Sequence, residues 1–174
     1  MAGKKLQDSV AEHRKKSKIS AGVAVITLST SRTRDKDTSG DVIQSLLEAN
    51  GHTVPARIVL PDDRIALRKS VRGIIRNKRV QAIITTGGTG LAPTDVTIEA
   101  VKDMLDKELP GFNSLFMLLS YPQVKSACML SRAMAGIIKG KVIFCLPGSP
   151  RACKLAVESL ILPELGHVLM LLES

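Results

Sequence analysis

Three short stretches of this sequence set glycine and hydroxyl residues where an apolar run gives way to a helix-forming one: Ser39-Gly40, Gly87-Gly88-Thr89-Gly90 and Gly148-Ser149. Glycine lets a backbone approach a ligand that a Cβ would hold off. The start of a helix presents unpaired N–H groups and a partial positive charge. Each stretch is therefore a candidate seat for an anion, with Ser29 and Pro147 as flanking contacts at the ends of their strands. Glycine turns also serve simply to reverse a chain, and that reading stays open for each of them. The stretch at residues 87–90 is the most informative. It lacks the Gly-Lys-Ser/Thr ending of a P-loop and the spacing of a G-x-G-x-x-G fingerprint, so neither common nucleotide motif applies.

Two carboxylates fall in the same kind of place, Asp62 after one strand-like run and Asp95 after the glycine-rich loop. A phosphate pocket lined only by acids would repel its ligand. Their presence makes sense if they hold Mg²⁺, which binds through one or two carboxylates plus the substrate's phosphates. The alternatives are that Asp95 caps the helix that follows, and that Asp62 and Asp63 only favour the start of theirs. Cys128, Cys145 and Cys153 are odd in number and lack C-x-x-C spacing, and His13, His52 and His167 are scattered singly. That pattern fits reduced, buried thiols in a cytosolic protein rather than a disulfide frame or a zinc site.

The elements that must position these residues read as alternating strands and helices. Residues 23–28 are a continuous β-branched run of the kind buried on both faces of a parallel sheet. Thr38 or Ser39 then caps a helix carrying Val42, Ile43, Leu46 and Leu47, stopped at Gly51. Residues 54–60 and 80–86 repeat the strand pattern, with Leu67, Val71, Ile74 and Ile75 on a helix between them and Ile98, Val101, Met104 and Leu105 on the next. A short helix is expected at 114–121. Segments 133–139 and 141–146 flank Gly140 as an antiparallel hairpin, a helix follows Pro150, and another runs toward Leu172 after Pro163. The fold class is α/β, a three-layer αβα domain over residues 19–174 with a mostly parallel sheet and an antiparallel C-terminal hairpin strand. In such a sheet the strand-to-helix loops at the carboxyl edge are where ligands bind.

The chain has 174 residues and a formal net charge of +9, enough length to bury a core without disulfide staples. Six basic residues against Asp8 and Glu12 make residues 1–18 a basic, flexible arm. The longest apolar run, residues 115–119, falls far short of the roughly 20 residues of a membrane-spanning helix. At 2% aromatic residues, base-stacking platforms are nearly absent. A basic chain without a nucleic-acid module is read more simply as one whose field gathers anionic small molecules.

Taken in order, Thr85-Thr86-Gly87-Gly88-Thr89-Gly90, Asp95-Val96-Thr97-Ile98-Glu99-Ala100, Leu109-Pro110-Gly111-Phe112, Leu130-Ser131-Arg132 with Ala135-Gly136, and Leu146-Pro147-Gly148-Ser149-Pro150 resemble the MoaB/MogA proteins of molybdenum cofactor biosynthesis. Asp37-Thr38-Ser39-Gly40 resembles that family's first helix entrance and leans toward the MoaB-like branch. The likeness covers about residues 20 to 170 and leaves the arm outside it.

The resemblance implies a cytoplasmic αβα domain, assembled as a trimer or dimer of trimers, that binds molybdopterin and transfers AMP to it from Mg-ATP; tungsten-using organisms use the equivalent pterin. It implies Asp95 as the catalytic aspartate and Asp62 as its partner, both holding Mg²⁺. Ser29, Ser39, Gly40, Gly87, Gly88, Thr89, Gly90, Pro147, Gly148 and Ser149 would contact nucleotide or pterin. Thr94 stands where many members have arginine, Ser114 and Met117 replace a common glutamate and arginine, and Thr30 replaces aspartate or asparagine. Those departures motivate one rival, a non-catalytic molybdopterin-binding or carrier protein. The basic charge motivates the other, a nucleic-acid binder.

Overall fold

The structure, a computed structural model, describes residues 20–30 and 33–173. The arm expected at residues 1–18 lies outside them. The elements run β1 (Gly22–Leu28), α1 (Thr38–Ala49), β2 (Thr53–Leu60), α2 (Arg64–Ile75), β3 (Ala82–Thr86), α3 (Thr97–Lys102), β4 (Lys107–Glu108), α4 (Pro110–Val124), β5 (Met134–Ile138), β6 (Lys141–Leu146), α5 (Pro150–Ala156) and α6 (Leu162–Glu173). The strands form one six-stranded sheet in the order β2-β1-β3-β6-β5-β4. Pairs β1–β2, β1–β3 and β3–β6 are parallel, and β5 runs antiparallel to both neighbours.

Alternation along the strands makes three layers. Val23 and Val25 of β1, with Ala82 and Ile84 of β3, enter a core shared with α1, α4, α5 and α6. Ala24, Ile26 and Leu28, with Ile83, enter a second core under α2 and α3. Every residue of β1 is buried, which is why its apolar run is unbroken. On α2 the buried residues Leu67, Val71 and Ile74 recur at helical spacing. Phe112, Phe116 and Ser120 do the same on α4.

Several boundaries differ from the sequence reading. Helix α1 is capped by Asp37, not by Thr38 or Ser39: its carboxylate accepts the Gly40 N–H at 3.0 Å. Helix α4 continues past Tyr121 and includes Pro122. The two C-terminal helices are one continuous stretch, because the turn Val157–Ile161 widens to a π-helix and lets Leu162 N–H reach the Val157 carbonyl. The ladder is already displaced there, so Pro163, which has no N–H to give, is tolerated one residue later.

By length and composition Pro150–Glu173 could cross a membrane. Cys153, Ala156, Val157, Ile161, Leu165 and Leu169 along it are buried in the first core, so one face of this stretch packs on the sheet. The hairpin turn at Lys139 and Gly140 has φ of 47° and 72°, the left-handed pair that a two-residue connection needs.

Candidate functional site

Sheet register gathers the predicted loops. Thr27 of β1 pairs with Thr86 of β3, and Thr86 with Leu146 of β6, so three strands end in one row. Leu28 pairs with Leu60 on the other side, which brings β2 to the same rim. The residues that follow, Ser29, Asp62, Gly87 and Pro147, therefore leave the sheet side by side. Helix α1, which follows β1, covers one face and α3, which follows β3, the other, so the connections from these neighbouring strands diverge here and the rim lies at the sheet's switch point.

An open cavity of about 380 Å³ occupies this rim, lined by Leu28, Ser29, Asp62, Gly88, Thr94, Asp95, Gly148 and Ser149. Both predicted acids are in it, with parts of two of the three predicted glycine stretches. Asp62 accepts the Thr30 N–H at 2.9 Å through Oδ2. Asp95 does not cap α3, whose first turn has no side-chain cap; its Oδ2 accepts the Ala92 N–H at 2.8 Å and closes its own loop. Asp63 is the residue that caps a helix, taking the Ala66 N–H at 2.6 Å.

Ser39 and Gly40 lie behind the cavity rather than on it. Both are buried, the Ser39 hydroxyl donates to the Gly148 carbonyl at 2.7 Å, and the Gly40 N–H is spent on Asp37. Ser39 therefore ties the first turn of α1 to the third glycine stretch. Pro147 presents its carbonyl to the Thr86 hydroxyl at 2.9 Å. The Ser149 hydroxyl caps α5 by accepting the Ala152 N–H at 3.2 Å.

Gly87 is required by its backbone: φ is 94°, and a Cβ there would overlap the Leu28 carbonyl oxygen. Gly88 has φ of 62° and sits where a Cβ would come 2.6 Å from the Thr97 hydroxyl and 3.2 Å from Asp62 Oδ1. Gly90 leaves room for the Asp95 carboxylate, which a Cβ would meet at 2.7 Å. Thr89 is buried, and Thr94 is exposed on the cavity wall. Ser114 and Met117 are on α4 and do not line the cavity, so among the departures noted above Thr94 alone changes its wall.

Sequence reasoning assigned no role to the residues that support this rim. Asp37 is fully buried and accepts from Thr27, Gly40 and Arg57. Burial alone would push its carboxyl up, but hydrogen bonds from Gly40, Arg57 and Thr27 outweigh that and hold it below its ordinary value. Arg132 donates to the Thr89 carbonyl at 3.0 Å and the Gly90 carbonyl at 2.7 Å, and is itself held by Glu99. The Arg132 hydrogen bond draws the Glu99 carboxyl below its usual range. Partners 33 residues apart in sequence give no local signal, although both stood inside recognisable motifs.

As a metal site the pair of acids is sparse. Among the described residues no group of three or more His, Cys, Asp or Glu could hold an ion unaided. Two carboxylates, each with one oxygen engaged by a backbone N–H, offer hard oxygen donors that suit Mg²⁺ shared with phosphate oxygens.

A mostly parallel sheet with glycine-made loops and two acids at its switch point defines a three-layer α/β domain. Residues 24–167 match the probable molybdopterin binding domain, and the chain belongs to that family. It is 44% identical over 162 residues to the molybdenum cofactor biosynthesis protein B of Halalkalibacterium halodurans, spanning 92% of this chain and 95% of that one. It is 43% identical over 153 residues to a probable molybdopterin adenylyltransferase of Methanocaldococcus jannaschii, spanning 84% and 90%. Among solved structures, a molybdenum cofactor biosynthesis protein B aligns with TM-score 0.87 at 41% identity, over 89% of this chain and 97% of that one. The tungsten cofactor synthesizing protein MoaB of Pyrococcus furiosus aligns with TM-score 0.81 at 34% identity, over 89% and 98%.

Proposed function

We propose that this chain is a molybdopterin adenylyltransferase of molybdenum or tungsten cofactor biosynthesis. The observation that carries this reading is the convergence of Asp62, Asp95, Gly88, Gly148 and Ser149 on one cavity at the switch point. The relatives' names supply the chemistry that such a cavity fits.

In this reaction an oxygen of the molybdopterin phosphate attacks the α-phosphorus of ATP. The new P–O bond forms as the bond to the β-phosphate bridge breaks, and pyrophosphate leaves with that electron pair. The nucleophile is already ionised, so the protein has little proton transfer to perform. Its contribution is alignment of two anions and neutralisation of charge by amides held in place. Mg²⁺, when bound at Asp62 and Asp95, would neutralise phosphate charge. Asp95 is kept in position by its bond to Ala92, and Asp62 by its bond to Thr30.

The chain is further proposed to self-associate as a trimer or dimer of trimers. Leu115, Leu118, Tyr121 and Val124 of α4 are exposed, and an apolar row of this kind is what a subunit contact covers.

Incubating the protein with molybdopterin, Mg²⁺ and ATP should yield adenylylated pterin and pyrophosphate. Asp95→Ala should abolish it. Equal product from both proteins removes Asp95 from the mechanism. Tight pterin binding with no product from the intact protein identifies the carrier reading instead.

A further inference from the structure

All four carbonyls of the glycine-rich loop are held by protein donors. Gly87 O accepts the Thr97 hydroxyl at 2.8 Å, and Gly88 O accepts the Thr97 N–H at 2.9 Å. Thr89 O and Gly90 O accept the two arms of the Arg132 guanidinium. The amides behave in the opposite way: the N–H groups of Gly88, Thr89, Gly90 and Leu91 have no acceptor among the described residues. In a planar trans peptide the N–H points opposite to the carbonyl of the preceding residue. Holding the Gly87 and Gly88 carbonyls on Thr97 therefore turns the Gly88 and Thr89 N–H groups away from α3. Holding the Thr89 and Gly90 carbonyls on Arg132 turns the Gly90 and Leu91 N–H groups away from the guanidinium.

From this we infer that Arg132 is a positioning residue that orients loop amides toward the phosphate oxygens of the ligand, a role resting on the functional reading above. The guanidinium suits it because its planar fork reaches two adjacent carbonyls at once, which a single ammonium cannot do. Glu99 completes the device. By pairing with Arg132 it fixes the fork and cancels its charge, so Arg132 acts through the loop and not as a cation on the ligand. Unpaired successive amides of this kind make an anion-binding concavity. Thr97 serves the first half of the loop in the same way, and it is fully buried beneath it.

The test compares the full-length protein with Arg132→Met, Arg132→Lys and Glu99→Gln. Mg-ATP and molybdopterin are titrated separately by calorimetry, product formation is followed in parallel, and folding is checked by thermal melt. Arg132→Met should bind at least one ligand about tenfold more weakly or worse, since a misplacement of about 1 Å can cost on the order of 100-fold in rate. Arg132→Lys keeps the charge but loses the fork, and should fall several-fold in the same affinity. Glu99→Gln removes the charge that fixes the fork and should weaken the same affinity, by less than Arg132→Met does. Full affinity in Arg132→Lys with loss in Arg132→Met would overturn the inference in favour of direct charge contact. Intact affinity and turnover in Arg132→Met would overturn it outright. If Arg132→Met melts below the assay temperature, Arg132→Lys decides. Weakened binding in the variants of a protein that makes no product would support the inference while sinking the adenylyltransferase reading. No binding of either ligand to the intact protein overturns both.

Discussion

Asp37 offers the sharpest test of how the rim is held. Its carboxylate is fully buried and faces Arg57 at 2.9 Å, while the Arg57 side chain is 7% exposed. Asp37→Asn keeps the shape and, because asparagine caps helices well, keeps the bond from Gly40. What it removes is the charge opposite a buried guanidinium and the Oδ2 acceptor that Arg57 and Thr27 share, leaving Arg57 with Asp41, Gln44 and the backbone carbonyl of residue 37. Breaking a buried pair from one side costs about 3–5 kcal/mol, and the retained cap and remaining partners place this variant near the low end, about 3 kcal/mol. For a chain of this size each kcal/mol moves Tm by roughly 2–4 °C, so the expected drop is about 6–12 °C.

The pH dependence adds a second check. The folded carboxyl titrates below its ordinary 3.8, so its stabilisation is fully present above that value and is lost as pH falls through the lower folded value. The gap in unfolding free energy between the native protein and Asp37→Asn should be flat above about pH 5 and shrink below about pH 4. Urea melts at several pH values measure it. A Tm change under about 2 °C at pH 7 would refute the argument. So would a gap that widens in acid.

Gly87→Ala and Gly51→Ala form a matched pair, since both positions have φ near 90° but only Gly87 meets the Leu28 carbonyl. Gly51→Ala should cost about 1 kcal/mol and Gly87→Ala clearly more, with loss of ligand binding; equal urea midpoints would contradict the close approach. Burial pushes the Cys145 thiol up to about 12, so it should resist thiol reagents at pH 8 until the protein unfolds. Labelling of native Cys145 would show that the sheet opens. Lys69 and Arg72 on α2 and Arg76 just after it are exposed in a basic chain, so kcat/KM for ATP should fall as salt rises from about 50 to 300 mM. A salt-independent value would mean that the field does not assist ligand capture.

The central strands were legible because burial on both faces leaves β-branched residues at consecutive positions, as in β1. The turns at Gly51, Gly87, Gly88 and Gly140 were legible because positive φ excludes most other residues there. What escaped were features whose cause is not local. Strand β4 has two exposed residues, Lys107 and Glu108, and exists through its pairing with β5. The break expected at Pro163 disappears because a π-turn ahead of it changes which carbonyls need donors. Thr38 and Ser39 look like caps, yet Asp37 wins because Thr27 and Arg57 stand ready to hold its carboxylate.

The same contrast divides the site. Asp62 and Asp95 could be picked out one at a time, since each follows a strand and each is an acid where a phosphate pocket would not otherwise want one. Their common cavity follows from something no window of sequence contains: the register that sets Thr27, Thr86 and Leu146 in one row. With the strand ends level, the loops meet edge to edge, so closely that a Cβ on Gly148 would stand 3.2 Å from the Gly87 Cα. Gly87 and Gly148, 61 residues apart in the chain, thus stand so close that a side chain on Gly148 would crowd its neighbour. A one-residue slip in either pairing would turn every strand side chain to the wrong core and carry the acids off the rim. The two apolar cores that fix this register are therefore what place the chemistry.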